Sequence, residues 1–175
     1  GTLVPGASRV EMVGIQSQSY PHEWFGRSSI GGHFPAMLKF AGFDGIVLEG
    51  AAESPTWIDI VDEHVALKDA TGLWGLDTYE TQEVIFSQVF EEIRHKIRPK
   101  AQTSHTPQWP CVLAIGPAGE NLSRIASIQH GAGPSFGQGG FGGVWGAKNL
   151  KALSVFGTGS VEVADPQALL KDTLW

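Results

Sequence analysis

The 175-residue sequence predicts an α+β domain, with helices packed on mixed or mainly antiparallel sheets. Three observations carry this reading. Short apolar runs of strand character outnumber helical stretches, and the two kinds follow no regular alternation. One segment, Asp77–Ile97, sustains a helical stripe. The 23 glycines gather near the ends of these segments and show no collagen-like period.

Arg9–Ile15 (RVEMVGI) alternates as a short strand. Gln16–Ile30 is polar and aromatic without periodicity, and reads as a loop. Phe34, Met37, Leu38 and Ala41 recur at helical spacing, and Gly42 closes that helix. Gly45–Leu48 reads as a short buried strand. Trp57–Val61 and Val65–Lys68 form a hairpin turned at Asp62-Glu63. In Asp77–Ile97, Asp77 caps the first turn and Glu80 completes a capping box. Phe86, Val89, Phe90, Ile93 and Ile97 make its apolar stripe. Pro99–Pro110 is a Pro-rich loop. Cys111–Ile115, Ile125–Ile128 and Lys151–Phe156 are strands, and Asp165-Pro166 opens a last helix with proline at its first position.

Hydrophobic content of 42% and charged content of 17% support a folded core. A net charge of −6 argues against nucleic acid as a partner, which would favour a basic face. No apolar run reaches the roughly 18 residues of a membrane span, so cytoplasm is the default location. Cys111 is the one cysteine, so it forms no disulfide within the chain and ligates no iron–sulfur cluster alone. In PCVLAIG it reads as a buried strand cysteine. His22, His33, His64, His95, His105 and His130 lack metal-ligand spacing, and no metal site is predicted within the chain. His33 and His130 do flank glycine blocks. No nucleophile–base pair is visible.

The glycine blocks are SIGGHFPAMLKFAGFDGIVLEG (Ser29–Gly50), GPAGEN (Gly116–Asn121) and GQGGFGGVWGAKNLKALSV (Gly137–Val155). Glycine lets backbone N–H groups approach a ligand with no Cβ in the way. Consecutive N–H groups or a helix start then suit phosphate. Three such loops predict a large phosphorylated ligand held mainly by main chain. Gly137–Gly142 also satisfies GxGxxG, with Glu162 about twenty residues on. The strand at Lys151 begins too soon for the crossover helix that a dinucleotide fold needs, so that reading is rejected.

Four ordered blocks, LKFAGFDGIVLEG, DATGLWGLDTYET, IGPAGEN and GAKNLKAL, resemble the N-terminal domain of the aldehyde ferredoxin oxidoreductase family, the tungsten bis-pterin enzymes. The resemblance runs from about Gly1 to Asp165. It implies an α+β base of two intertwined similar halves beneath the cofactor. It assigns residues 1–160 to the pterin-binding domain, cut at its start, and 161–175 to the beginning of a helical domain. The cofactors implied are tungsten or molybdenum held by two pterins, Mg2+ bridging their phosphates, and a [4Fe-4S] cluster. The cluster cysteines and the catalytic residues would lie in later domains.

The resemblance also names residues. Arg9 matches an arginine between pterin and cluster, where a guanidinium can hydrogen-bond both. Ser29, Gly31 and Gly32 match an Asn-Ser-Gly-Gly stretch that contacts pterin, with serine in place of the amide. Ser135, Phe136, Gly137, Gln138, Gly139 and Gly140 match most of a loop reading Arg-Ala-Ala-Gly-Arg-Gly-Gly. Pro134 and Gln138 stand where that loop has arginines. Asp44, Glu49 and Glu120 fall in matching blocks and read as structural.

The implied partners are a small-molecule substrate and ferredoxin or an electron-transfer subunit, in a homo- or hetero-oligomer. The implied reaction is two-electron oxidation of an aldehyde or reduction of an acyl-CoA. A benzoyl-CoA reductase catalytic subunit, reducing an aromatic ring without ATP, is one alternative. A scaffold that has kept the fold and lost the cofactor is another.

Overall fold

A computed structural model describes residues 9–94 and 109–174. Its spine is strand β8 (Leu150–Phe156), LKALSVF, buried at every position. Such a strand must be paired on both edges and covered on both faces. One edge pairs in parallel with β3 (Thr56–Val61), the other antiparallel with β5 (Cys111–Ala114). β3 continues into β4 (His64–Asp69) through the expected hairpin, with Asp62 at φ 53°. On the other side follow β6 (Ile128–His130) and β7 (Ser135–Phe136), giving the order β4-β3-β8-β5-β6-β7. The sheet is mixed, because only the β3–β8 pair is parallel.

Helices α1 (Phe34–Phe40), α2 (Thr78–Ile93) and α4 (Phe141–Ala147) pack against β8. The short α3 (Pro117–Glu120) packs on α4, and α5 (Pro166–Thr173) buries none of its residues. A separate antiparallel pair is formed by β1 (Val10–Ile15) and β2 (Phe25–Ile30). The α+β class is therefore as the sequence predicts. Among the described residues no helix is long and apolar enough to cross a membrane.

Several element readings change. Gln16–Ile30 is not all loop, since its second half is β2. Phe25 and Arg27 point outward while Ser28 and Ile30 are buried, so polarity and burial do not alternate together. Gly45–Leu48 has no paired strand among the described residues, although Ile46 and Leu48 are half-buried and Val47 exposed. The strand read at Ile125 begins at Ile128, and Ile125 is exposed. α2 starts as expected: the Asp77 carboxylate accepts from Tyr79 N and Glu80 N at 2.8 Å each. Its buried stripe is Thr81, Ile85, Val89 and Ile93. Phe86 and Phe90 lie on the flank, where Phe90 stacks with both Phe86 and Trp109. Ile97 and most of Pro99–Pro110 lie outside the described residues.

Candidate functional site

Two of the three glycine loops meet. The end of β2 carries Ser29, with Gly31 and Gly32 just beyond it, and the turn beyond β7 carries Gly137–Gly140. They are tied by Gln138 N donating to Ser28 Oγ at 3.2 Å. Gly32 has φ +78°, and a Cβ there would stand 3.0 Å from His130 Cδ2 and 3.3 Å from Pro134 Cγ. The left-handed backbone and the tight fit together favour glycine at this turn. Arg9 precedes β1 and is exposed, and its Nη2 donates to Ser29 O at 3.4 Å. Among the described residues no carboxylate pairs with it.

The 137–140 loop is held from one side by the segment after β1. Gly139 N donates to Gln18 Oε1 at 3.0 Å, and Ser17 N donates to Gly139 O at 3.0 Å. Ser17 Oγ donates to Gly140 O at 2.7 Å. Arg124 fixes that segment through Ser17 O at 2.9 Å and Ser19 O at 2.5 Å, with its guanidinium over the Tyr20 ring. A Cβ on Gly140 would sit 2.0 Å from Arg124 O. Glycine here serves close chain packing.

The third loop, Gly116–Gly119, packs against helix α4, which follows the 137–140 loop. A Cβ on Gly119 would meet Gly142 O at 2.8 Å, and one on Gly146 would meet Gly119 O at 1.9 Å. These glycines let α3 and α4 lie backbone to backbone. Glu120 pairs with the fully buried Lys151 and accepts from Gly75 N at 2.9 Å, a structural role. Asp44 pairs with Lys39 at the surface. Cys111 is buried, which pushes its thiol up to about 12.

Sequence reasoning did not assign Gln18, Ser28 and Arg124, which surround the loops, and it noted His130 for its place beside a glycine block. His130 Nδ1 lies 3.0 Å from Val112 O, and Phe34 meets its ring edge-on. Burial holds the imidazole below its ordinary pKa. Its place between a strand end and a glycine block was the one available signal.

Beside the two loops lies a largely apolar cavity of about 690 Å³. β1, the 44–48 segment, Arg9, Phe34, Phe136, Phe141 and Trp145 line it. Among the described residues no group of three or more His, Cys, Asp or Glu could hold a metal ion. The Arg9–Ser29–Gly32 side offers a cation with no carboxylate partner among the described residues, a hydroxyl and a crowded glycine turn, which suit an anionic, donor-rich heterocycle. On the 137–140 side, the Gln138 and Gly139 amides already have partners.

A model of the aldehyde ferredoxin oxidoreductase N-terminal domain matches residues 1–157, and the chain belongs to that family. It is 38% identical over 170 residues to the tungsten-containing aldehyde ferredoxin oxidoreductase of Pyrococcus furiosus, covering 97% of the chain and 25% of the relative. The Thermococcus kodakarensis enzyme of the same name is 36% identical over 97% of the chain and 25% of its own length. An aliphatic sulfonate oxidoreductase, WOR-like subunit, of Pyrococcus furiosus is 39% identical over 75% of the chain and 21% of the relative. Among solved structures, the active site complex BamBC of benzoyl coenzyme A reductase with 1,5-dienoyl-CoA superposes at a TM-score of 0.77. It shows 33% identity and covers 93% of this chain and 22% of that one. The chain thus spans about a quarter of the length of the curated relatives it matches.

Proposed function

We propose that this chain is the pterin-facing part of a tungsten- or molybdenum-dependent oxidoreductase subunit. Residues 1–160 form the cofactor domain, and 161–175 begin the next, helical one. The observation that carries the reading is the meeting of Arg9, Ser29 and the Gly31-Gly32 turn with the Ser135–Gly140 loop, in a chain of this family. When bound, a tungsten or molybdenum bis-pterin group, with Mg2+ and a [4Fe-4S] cluster, would supply the two-electron redox chemistry.

The chain's own residues bind and orient. Arg9 places five guanidinium N–H donors beside Ser29, where they neutralise an anionic ligand. The Ser29 hydroxyl and the Gly31 backbone complete that side. Phe136 is buried and the Ser135 hydroxyl half-buried, so this edge is partly shielded from water. The substrate class is an aldehyde or an acyl-CoA, by likeness to relatives so named, and electrons leave to ferredoxin or a partner subunit.

The test is a native purification of the full-length protein, with metal and pterin measured per subunit, beside the Arg9→Ala variant. Near-stoichiometric metal and pterin, with slowed cluster reduction in Arg9→Ala at equal metal content, supports the reading. Absence of both metal and pterin from the wild type overturns it and favours a scaffold, which the engaged Gln138 and Gly139 amides would suit.

A further inference from the structure

We propose that His130 contacts the ligand, offering Nε2 as a neutral hydrogen-bond acceptor to an N–H or O–H donor of a heterocycle seated at the Gly31-Gly32 turn. The inference rests on the pterin reading above and deepens it.

The argument begins at the other nitrogen. Nδ1 lies 3.0 Å from the carbonyl oxygen of Val112. A carbonyl only accepts, so Nδ1 carries a proton. In a neutral imidazole the lone pair then belongs to Nε2. No donor among the described residues reaches that nitrogen. Among those residues no buried side-chain nitrogen or oxygen lacks a partner, so an unpaired Nε2 is one that reaches solvent. It lies beside the turn, since a Cβ on Gly32 would stand 3.3 Å from it.

The ring is also held in place. Val112 O fixes one nitrogen, and Phe34 meets the ring at 66° with centroids 6.3 Å apart. Pro134 Cγ also comes within 3.3 Å of where a Gly32 Cβ would sit. Burial favours the uncharged form. A fixed acceptor loses little freedom when a donor arrives. It also discriminates. Ionised phosphate has only acceptors and gains nothing from a lone pair, whereas the ring N–H and amino groups of a pterin do. His130 therefore marks the heterocycle's donor edge rather than its phosphates.

The experiment uses full-length protein in cofactor-loaded and cofactor-stripped forms. Diethylpyrocarbonate acylates an unprotonated, accessible imidazole nitrogen, and mass spectrometry locates the adduct. His130 should be modified in stripped protein and at least tenfold more slowly in loaded protein. Equal labelling in both forms, or no labelling in the stripped form, overturns the proposal. As a second arm, pterin release is timed for His130→Phe and His130→Gln. Phe should release pterin about tenfold faster, the loss of about one hydrogen bond, and Gln, which keeps an acceptor, should stay near wild type. A Phe variant that releases pterin at the wild-type rate overturns the contact while leaving the pterin reading intact. A wild type that holds no pterin removes both.

Discussion

Lys151 and Glu120 form an ion pair in the core, exposed by 0% and 4% at their side chains. Lys151 Nζ also donates to Leu76 O at 2.8 Å, so the pair ties β8, α3 and the approach to α2. Burying two charges costs several kcal/mol each, and their attraction roughly offsets it only while both are present. Lys151→Met should therefore destabilise by about 3–5 kcal/mol, whereas Lys151→Met with Glu120→Leu should recover most of that. Urea unfolding of the three proteins checks this, and equal losses in single and double variants would refute it. Cys111 gives a second prediction at the residue scale. Burial raises its folded pKa from near 9 to about 12, so the folded state keeps its proton where the unfolded state loses it. Its stability contribution is complete below pH 9 and falls as pH rises toward 12. Unfolding midpoints of Cys111→Ala should drop less steeply than wild type across that window, and parallel curves would assign the alkaline loss elsewhere.

Among the elements, α2 was readable because its signals are local: Asp77 and Glu80 stand three residues apart and the stripe follows at helical spacing. Asp77→Ala removes an acceptor from two backbone N–H groups and should cost about 1 kcal/mol. Helix α4 was not readable, because FGGVWGA carries glycines that weaken a helix and here read as a ligand loop. Their purpose appears only with α3 beside them. Gly146→Ala would place a Cβ 1.9 Å from Gly119 O, so the two helices must separate. Gly45→Ala meets nothing within 4 Å and serves as the control. Thermal unfolding should show a large loss for the first and almost none for the second, and comparable losses would sink the flush-packing account. β2 escaped for a related reason, since its polar residues face both ways. Of the candidate site, Arg9, Ser29 and the glycine pairs were legible through the family blocks. Gln18 and Ser28 were not, because they reach the 137–140 loop from 121 and 110 residues away.

At the scale of the molecule, the candidate site straddles two sheets. Ser29 and the Gly31-Gly32 turn belong to the β1–β2 pair, while Ser135–Gly140 hangs from the edge of the six-stranded sheet. A two-stranded ribbon is marginal alone, so its position depends on what fastens it. Arg124 supplies two of the fastenings, through the carbonyls of Ser17 and Ser19, and packs over Tyr20. Ser17 in turn grips Gly139 and Gly140. Ile30 of β2 joins the core of Ile85, Val89, Leu113, Leu153 and Val155, but none of the hydrogen bonds made by Arg124 and Ser17 belongs to that core. Arg124→Ala should therefore loosen the ribbon without unfolding the sheet. Amide hydrogen exchange should accelerate at least tenfold across residues 10–30, while residues 111–114 and 150–156 keep wild-type protection. Uniform acceleration in both sheets would show that the ribbon and the main sheet open as one cooperative unit, and that the site has no independent fastening.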